Sequence, residues 1–443
     1  MAAITTAVDT AGPTSSEEVH VAPSLPLTQK LKYGALAYGI TKLVMTPVNF
    51  INSIKTDYLG SSPNKPDIIK ALPSRPQLPV RVFLPKSHSP SNPERSHEKL
   101  PTLLTIHGGG FVIGAPYEND GWNRRFVQIA EEAGTPFCVI ALDYRKAPSY
   151  PFPTAIHDLE AVILDLLVDY GSDPSTAVVE KHSDLPIDTH RVASAGWSAG
   201  GNLAMAVSQL PDIRHRIKAA VPMYPVLDFV TPSVAKTKSR RYKLSLGGFR
   251  GRDTDYLMSV SGMFDWSYVS PGQKMGDPLL SPLYAVEVLE EEDAEGTQGR
   301  VTRVKGRERF PANVFIVACE LDMLGGEAWR MACKLAGRRV PGVEEMLGRE
   351  EPGPGEKKEG KKGGLLELED ERFHWQEEVT EMEEDGRQQV KRSYRWLLVP
   401  DVVHGYDQDG ISRIKDEEAV RNGMEKREEV MEIVRGWLVD GVL

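Results

Sequence analysis

Ser198 stands in the pentapeptide Gly196-Trp197-Ser198-Ala199-Gly200, directly after the apolar run 191–195. A serine held on a sharp strand-to-helix turn presents its hydroxyl outward, and such a strained turn leaves little room for neighbouring side chains. Gly196, Gly200 and Gly201 supply that room, which makes Ser198 a candidate nucleophile. Glycine-rich turns also carry serines structurally, so the pentapeptide alone discriminates only moderately. A second glycine motif, His107-Gly108-Gly109-Gly110-Phe111, follows another apolar run at 102–106. Two such motifs behind two strands are far less expected by chance. A serine hydroxyl is a poor nucleophile at neutral pH and needs a base within hydrogen-bond reach and a third group to orient that base. Attack on an ester carbonyl places negative charge on its oxygen, which backbone N–H groups stabilise where glycines permit close approach.

The elements that must position these groups are legible as periodicity. Strand-like apolar runs recur at 80–84, 102–106, 137–142, 191–195, 219–224, 313–318 and 395–399. Helix-like segments separate most of them, most clearly at 123–133, 154–170, 199–210, 327–336 and 413–439. The alternation predicts an α/β fold with a mainly parallel central sheet and helices on both faces, whose sites form at the carboxyl ends of strands. The stretch 227–276 lacks strand periodicity and carries Phe264, Trp266 and Tyr268. It reads as a lid whose aromatics either line a pocket or pack the lid onto the body. Two further stretches, 290–309 and 340–392, read as charged insertions, and the low apolar content of the second predicts a mostly solvated loop.

These motifs resemble the hormone-sensitive-lipase-like (arylacetamide deacetylase-like) branch of the α/β-hydrolases, whose pattern is H-G-G-G, a G-[DW]-S-A-G-G-N-like elbow, then an acid and a histidine. Asp143-Tyr144-Arg145-Lys146-Ala147-Pro148, Pro151 to Ala155 with Asp158, and Asp277-Pro278-Leu279-Leu280-Ser281-Pro282 extend the similarity to roughly residues 75 to 440, with interruptions. The resemblance implies an α/β-hydrolase fold with a helical cap or lid. It implies a triad in the chain order serine, acid, histidine, each on a loop after a strand. Asp322, in Cys319-Glu320-Leu321-Asp322-Met323-Leu324, resembles the family's D-x-L acid loop, with Met323 where proline is common and Glu320 as the fallback acid. His404, in Val402-Val403-His404-Gly405-Tyr406, resembles the H-G-F loop with tyrosine for phenylalanine. Of the other histidines after the serine, His215 lies in an Arg-rich turn and His374 in the charged insertion. By the same resemblance the amides of Gly109, Gly110 and Ala199 form the oxyanion hole, while His107 and Gly108 shape its loop. Trp197 stands where many members carry aspartate, and Asp143, Arg145 and Asp158 take structural rather than catalytic places.

Residues 1–26 read as a flexible N-terminus, 27–74 as cap helices and 75–443 as the catalytic domain. At 443 residues, 40% hydrophobic and 26% charged, the chain is long enough for one large core. A net charge of −10 argues against a nucleic-acid partner. Cys138, Cys319 and Cys333 are too few and scattered for a disulfide framework or metal site, and no phosphate-binding or metal-ligand motif appears, so no cofactor is expected. There is no recognisable signal peptide. The apolar stretch 33–54 is interrupted by Lys42 and Pro47, which predicts a kinked helix rather than a membrane span, with surface attachment as a minority reading. These features point to a cytoplasmic setting.

The resulting expectation is a cofactor-independent serine esterase or deacetylase acting on a small neutral or apolar ester through an acyl-enzyme. The alternatives are an acyltransferase using the same triad and a small-molecule receptor on the same scaffold. Such a receptor, as in plants, has lost the catalytic histidine, whereas this sequence carries His404.

Overall fold

The computed structural model describes residues 20–54, 63–89, 98–167, 185–291, 300–350, 371–382, 389–410 and 415–443. Among them the chain forms strands β1 (Ile68–Leu72), β2 (Arg75–Phe83), β3 (Leu100–Ile106), β4 (Cys138–Leu142), β5 (Ile187–Trp197), β6 (Ala219–Met223), β7 (Glu287–Glu291), β8 (Arg300–Lys305), β9 (Asn313–Leu321), β10 (His374–Met382) and β11 (Gln389–Val403). Its helices are α1 (Leu27–Tyr38), α2 (Thr46–Ser53), α3 (Asp120–Glu132), α4 (Thr154–Leu166), α5 (Ala199–Val207), the single turn α6 (Ser233–Lys236), α7 (Ser261–Tyr268), α8 (Gly325–Ala336) and α9 (Glu417–Val439).

Nine strands make one sheet in the order β1-β2-β4-β3-β5-β6-β9-β11-β10. The six from β4 to β11 run parallel, and antiparallel pairs close both edges. Side chains alternate across this sheet. Leu104, Ile106, Ile140 and Leu142 pack with α4 and α5, while Leu103, Val139, Phe315 and Val317 pack with α3 and α9. Further along, Val314, Ile316 and Trp396 meet α8 on the α4–α5 side. Strands covered on both faces need apolar residues at nearly every position. All seven strand-like runs of the sequence accordingly coincide with strands of the sheet to within one residue at an end.

Two expectations are revised within the described residues, and a third stretch gains its structure. The span 27–74 is not helical throughout, because Ile68–Leu72 form β1, a short edge strand whose alternate residues face solvent. The insertion 340–392 contains β10 and the start of β11. The nine-residue register from His374↔Leu397 to Met382↔Gln389 adds an edge to the main sheet. In β10 Trp375 is buried, while Glu377 pairs with Arg338 and Glu381 with Arg307 and Arg392; residues 351–370 and 383–388, where the solvated loop was expected, lie outside the described residues. The insertion 290–309 likewise holds most of the β7–β8 hairpin, a separate two-stranded sheet. The proposed flexible segment 1–26 falls largely outside the described residues, but Val21 bridges to Lys274 and the Ala22 amide donates to Gln273 O.

A π-helical stretch, Gly39–Met45, separates α1 from α2, so the interruption foreseen at Lys42 and Pro47 takes the form of a widened turn with Pro47 opening the next helix. No helix among the described residues is long and apolar enough to cross a membrane. The last helix begins at Glu417 rather than 413 because Asp416 caps it. Asp416 Oδ1 accepts the Ala419 amide at 3.0 Å and Oδ2 accepts the Phe249 amide at 2.6 Å, which also pins the β6–β7 connection. Asp416→Ala removes both acceptors and is expected to lower unfolding stability by about 1–2 kcal/mol. A urea melt with an unchanged midpoint would contradict this role.

Candidate active site

β5 ends at Trp197 and α5 begins at Ala199, so Ser198 alone makes the turn between them, at φ 55° and ψ −116°. The turn closes because two glycines flank it. A Cβ on Gly196 would lie 2.1 Å from Gly200 O, and one on Gly200 would lie 2.1 Å from Ile106 O at the end of β3. The Ser198 amide donates to Met223 O at 2.9 Å, fixing the elbow against the end of β6.

Asp322 follows β9 and His404 follows β11, at the same end of the sheet as Ser198. His404 Nε2 lies 2.8 Å from Ser198 Oγ and Nδ1 lies 2.7 Å from Asp322 Oδ2. The structure thus brings together the three residues expected from chain order. Asp322 Oδ1 accepts the Leu324 amide at 3.0 Å, which orients the carboxylate toward the imidazole. Burial is the largest single influence and depresses the His404 pKa, but the charge and hydrogen bond of Asp322, joined by Asp255 and Asp407, together outweigh it, and the net shift is upward. Glu320, the fallback acid, is engaged elsewhere by Lys243 at 2.8 Å and by the amides of Asp401 and Arg349. His374 lies on β10, where Arg395 Nε donates to it, and His215 is exposed beside Arg214.

The glycine loop packs directly on the elbow. A Cβ on Gly108 would stand 3.0 Å from Trp197 O, and Gly109, at φ 106°, has no room for one because Ile113 O is only 2.2 Å away. His107 stacks on Tyr144 with ring centroids 4.5 Å apart. Its ring nitrogens lie 2.7 Å from Gly108 O and 3.0 Å from Asp143 Oδ1. Asp158 is held by Arg145 and Arg75 behind this loop, away from the triad.

The loop carrying His404 is fastened beneath the elbow by a residue that the motifs did not mark. Trp197 Nε1 donates to Asp407 Oδ2 at 2.9 Å and Tyr224 Oη to Asp407 Oδ1 at 2.5 Å. The Tyr224 ring in turn meets the His404 ring edge-on, centroids 4.7 Å apart. The only sequence signal was a carboxylate three residues beyond His404, with a tryptophan N–H beside Ser198 needing an acceptor. Above the triad opens a cavity of about 610 Å³. Phe264 and Tyr256, from the connection between β6 and β7, line it, whereas Trp266 packs on Tyr33 of α1 and Tyr268 stacks on Phe111. The aromatics of this connection therefore divide between lining and packing. Asn52 of α2 donates to Tyr117 Oη in the pocket wall at 3.1 Å. A larger groove of about 1190 Å³, bordered by Lys218 and Asn313 at strand beginnings, lies at the opposite end of the sheet and contains none of these residues.

A family model described as the alpha/beta hydrolase fold matches residues 103–348. The chain belongs to that family. Within it, an arylesterase from Saccharolobus solfataricus is 28% identical over 48% of this chain and 58% of its own. An ethyl acetate hydrolase from Pseudomonas putida is 31% identical over 46% of this chain and 55% of its own. Arylacetamide deacetylase-like 2 of Homo sapiens is 33% identical over 34% of this chain and 33% of its own. The match thus spans little more than half the length of the first two relatives and a third of the last. A solved esterase from the archaeon Pyrobaculum calidifontis superposes with a TM-score of 0.48 at 18% identity, covering 85% of each chain. The hydrolase-fold resemblance read from the glycine motifs is met at the family level.

For this family member, the Asp407 contacts predict a stability effect. Asp407→Ala leaves the buried Trp197 N–H and Tyr224 O–H unpaired, a loss expected to be about 2–3 kcal/mol or more. Equilibrium denaturation of variant and wild type side by side measures it, and equal stability would show that water satisfies both donors.

Proposed function

We propose that this protein is a carboxylic ester hydrolase working through an acyl-enzyme on Ser198. The observation that carries this reading is the unbroken hydrogen-bond chain from Ser198 Oγ through both nitrogens of His404 to Asp322. His404 takes the serine proton as Oγ attacks the ester carbonyl, and Asp322 holds the imidazole in the required tautomer and stabilises the imidazolium that forms. The negative charge arising on the carbonyl oxygen is met by the amides of Gly109, Gly110 and Ala199, which line the oxyanion loop and open α5. The alkoxide leaves with the proton from His404. Water, deprotonated by the same histidine, then attacks the acyl-enzyme and releases the acid. The segment 227–276 acts as the lid and the N-terminal helices as a cap, together excluding bulk water. The names of the relatives, an arylesterase and an ethyl acetate hydrolase among them, fit esters of small alcohols and phenols.

Charge in the pocket supports a neutral substrate. Glu118 and Asp409 line it, while no lysine or arginine does among the described residues. Anionic acyl groups entering this wall meet like charge in a site of reduced dielectric. Neutral p-nitrophenyl acetate and butyrate are therefore expected to be cleaved with higher kcat/KM than the hemisuccinate ester. A preference for the hemisuccinate would count against this pocket as the acyl site. Ser198→Ala is expected to abolish turnover with the fold retained, as seen by circular dichroism, and full activity in that variant would remove the serine mechanism.

His404 must be neutral to act as base, and its pKa is raised above the ordinary 6.5 of histidine. Activity is thus present above the folded pKa and lost as pH falls through it. The acid limb of kcat/KM, which reports the free enzyme, should have its midpoint above 6.5. A midpoint clearly below that value would mean that Asp322 does not stabilise the imidazolium.

A further inference from the structure

The connection between β6 and β7 does more than cover the pocket. At its middle, residues 255–257 reach down between the two loops that carry the acid and the base. Asp255, only 4% exposed, accepts the Met323 amide on Oδ2 at 2.9 Å and the Leu257 amide on Oδ1 at 2.9 Å. Met323 is the residue after Asp322. The neighbouring Tyr256 donates its hydroxyl to the main-chain oxygen of His404 at 2.8 Å. Two consecutive residues of one segment therefore bind the backbone beside the acid and the backbone of the base. Elsewhere the same segment is anchored by Lys243, whose ammonium lies 2.8 Å from Glu320 and 2.7 Å from Asp401, near the ends of the two strands, β9 and β11, that lead into these loops.

We propose that Asp255 and Tyr256 are positioning residues that clamp the Asp322 loop to the His404 loop, so that acid and base stay within bonding distance only while the β6–β7 connection is seated. The proposal rests on the esterase reading of Ser198, His404 and Asp322. Its physical basis is that both triad partners sit on loops beyond strand ends, where the ladder no longer fixes the backbone. Two bonds from one dipeptide, Asp255 to the Met323 amide and Tyr256 to His404 O, replace that restraint, and the Leu257 amide holds the Asp255 carboxylate in place. A misplacement of about 1 Å at a reacting group can cost on the order of 10²-fold in rate.

Asp255 also adds charge. The groups facing His404 are Asp322 and Cys319 from β9 and its loop, Tyr224 from the end of β6, Asp407 from its own loop, and Asp255 and Tyr256 from the connection, with Arg240 behind Asp255 at 3.4 Å. Burial and the proximity of Asp322 raise the Asp255 pKa, with Arg240 opposing. In its ionised form Asp255 favours the imidazolium of His404. Removing that charge lets His404 lose its proton at lower pH.

The test compares wild type, Asp255→Asn, Tyr256→Phe and Ser198→Ala on p-nitrophenyl acetate, with pH profiles and thermal melts of each. Tyr256→Phe keeps the ring and loses only the hydroxyl, so it serves should the Asn variant fail to fold. Both variants are expected to lose roughly tenfold or more in kcat, in keeping with the cost of small misplacement. Asp255→Asn should also move the acid limb of kcat/KM to lower pH, a change that a merely structural role would not produce. A second readout needs no turnover: the proton between His404 Nδ1 and Asp322 gives a far-downfield proton resonance, expected to broaden or vanish in both variants. If wild type is active and Ser198→Ala inactive, but both clamp variants match wild type in kcat, acid limb and resonance, the clamp is overturned and the esterase reading stands. If wild type cleaves no ester, the esterase reading fails, and the resonance alone decides the clamp: unchanged in the variants, it overturns the clamp; lost, it supports it.

Discussion

His404 has to reach two groups at once, and most of the local structure follows from that constraint. Its loop leaves β11, while Ser198 leaves β5, and β6 and β9 lie between them in the sheet. Strands are spaced about 4.8 Å apart, so three intervals put these ends about 14 Å from each other. The imidazole therefore has to be carried back across two strand ends to come within 2.8 Å of the serine. Asp322, leaving the intervening β9, lies along this path. The positive φ of Asp401 (54°) and of Gly405 (74°) bends the chain on either side of the histidine, and Tyr224, at the end of β6, supplies the surface on which the ring rests.

Such a reach leaves backbone and side chains without a ladder to hold them, and the molecule fills the gap with buried charge. Asp407, Glu320 and Asp401 each bind donors contributed by other elements around the site. An isolated carboxylate in this environment would be very unfavourable, yet a carboxylate accepting several aligned donors becomes a rigid joint. The donors come from far along the chain, such as Lys243 for Glu320 and Asp401 and Arg349 for the same pair. The same acidity bears on the histidine, which stands among three carboxylates and is held on the easily protonated side despite its burial. The local negative charge that secures the loops is thus the charge that stabilises an imidazolium.

What the sequence made visible and what it concealed divide along physical lines. Parallel strands covered on both faces read as unbroken apolar runs, so 102–106, 191–195 and 313–318 announced themselves. The two glycine motifs were visible because backbone approaches within 2.2 Å of a notional Cβ leave no other residue type. The acid was less plain, with Glu320 and Asp322 two residues apart, a spacing that puts both on one face of a continuing strand; β9 ends at Leu321, and the turn beyond it lets Asp322 meet His404 while Glu320 meets Lys243. β10 was hidden because it is an edge strand whose outward residues are charged and polar, several of them paired across the strand or with neighbouring elements. Asp407 and Asp255 were hidden for a different reason. Their partners lie 210 and 68 residues away, and no local pattern encodes which distant amide or indole a buried carboxylate will meet.

Trp197 brings these strands of reasoning to one point. The residue beside Ser198 is an indole, whose N–H needs an acceptor once buried. Asp407, on the histidine loop, accepts the indole N–H and the Tyr224 hydroxyl together. The indole also packs edge-on against Trp122 of α3, centroids 4.9 Å apart, tying the elbow to the helix layer beneath. A small acidic side chain in the elbow could not reach both places. The bond from Trp197 to Asp407 makes the serine turn and the histidine loop interdependent, since the acceptor that satisfies one is carried by the other.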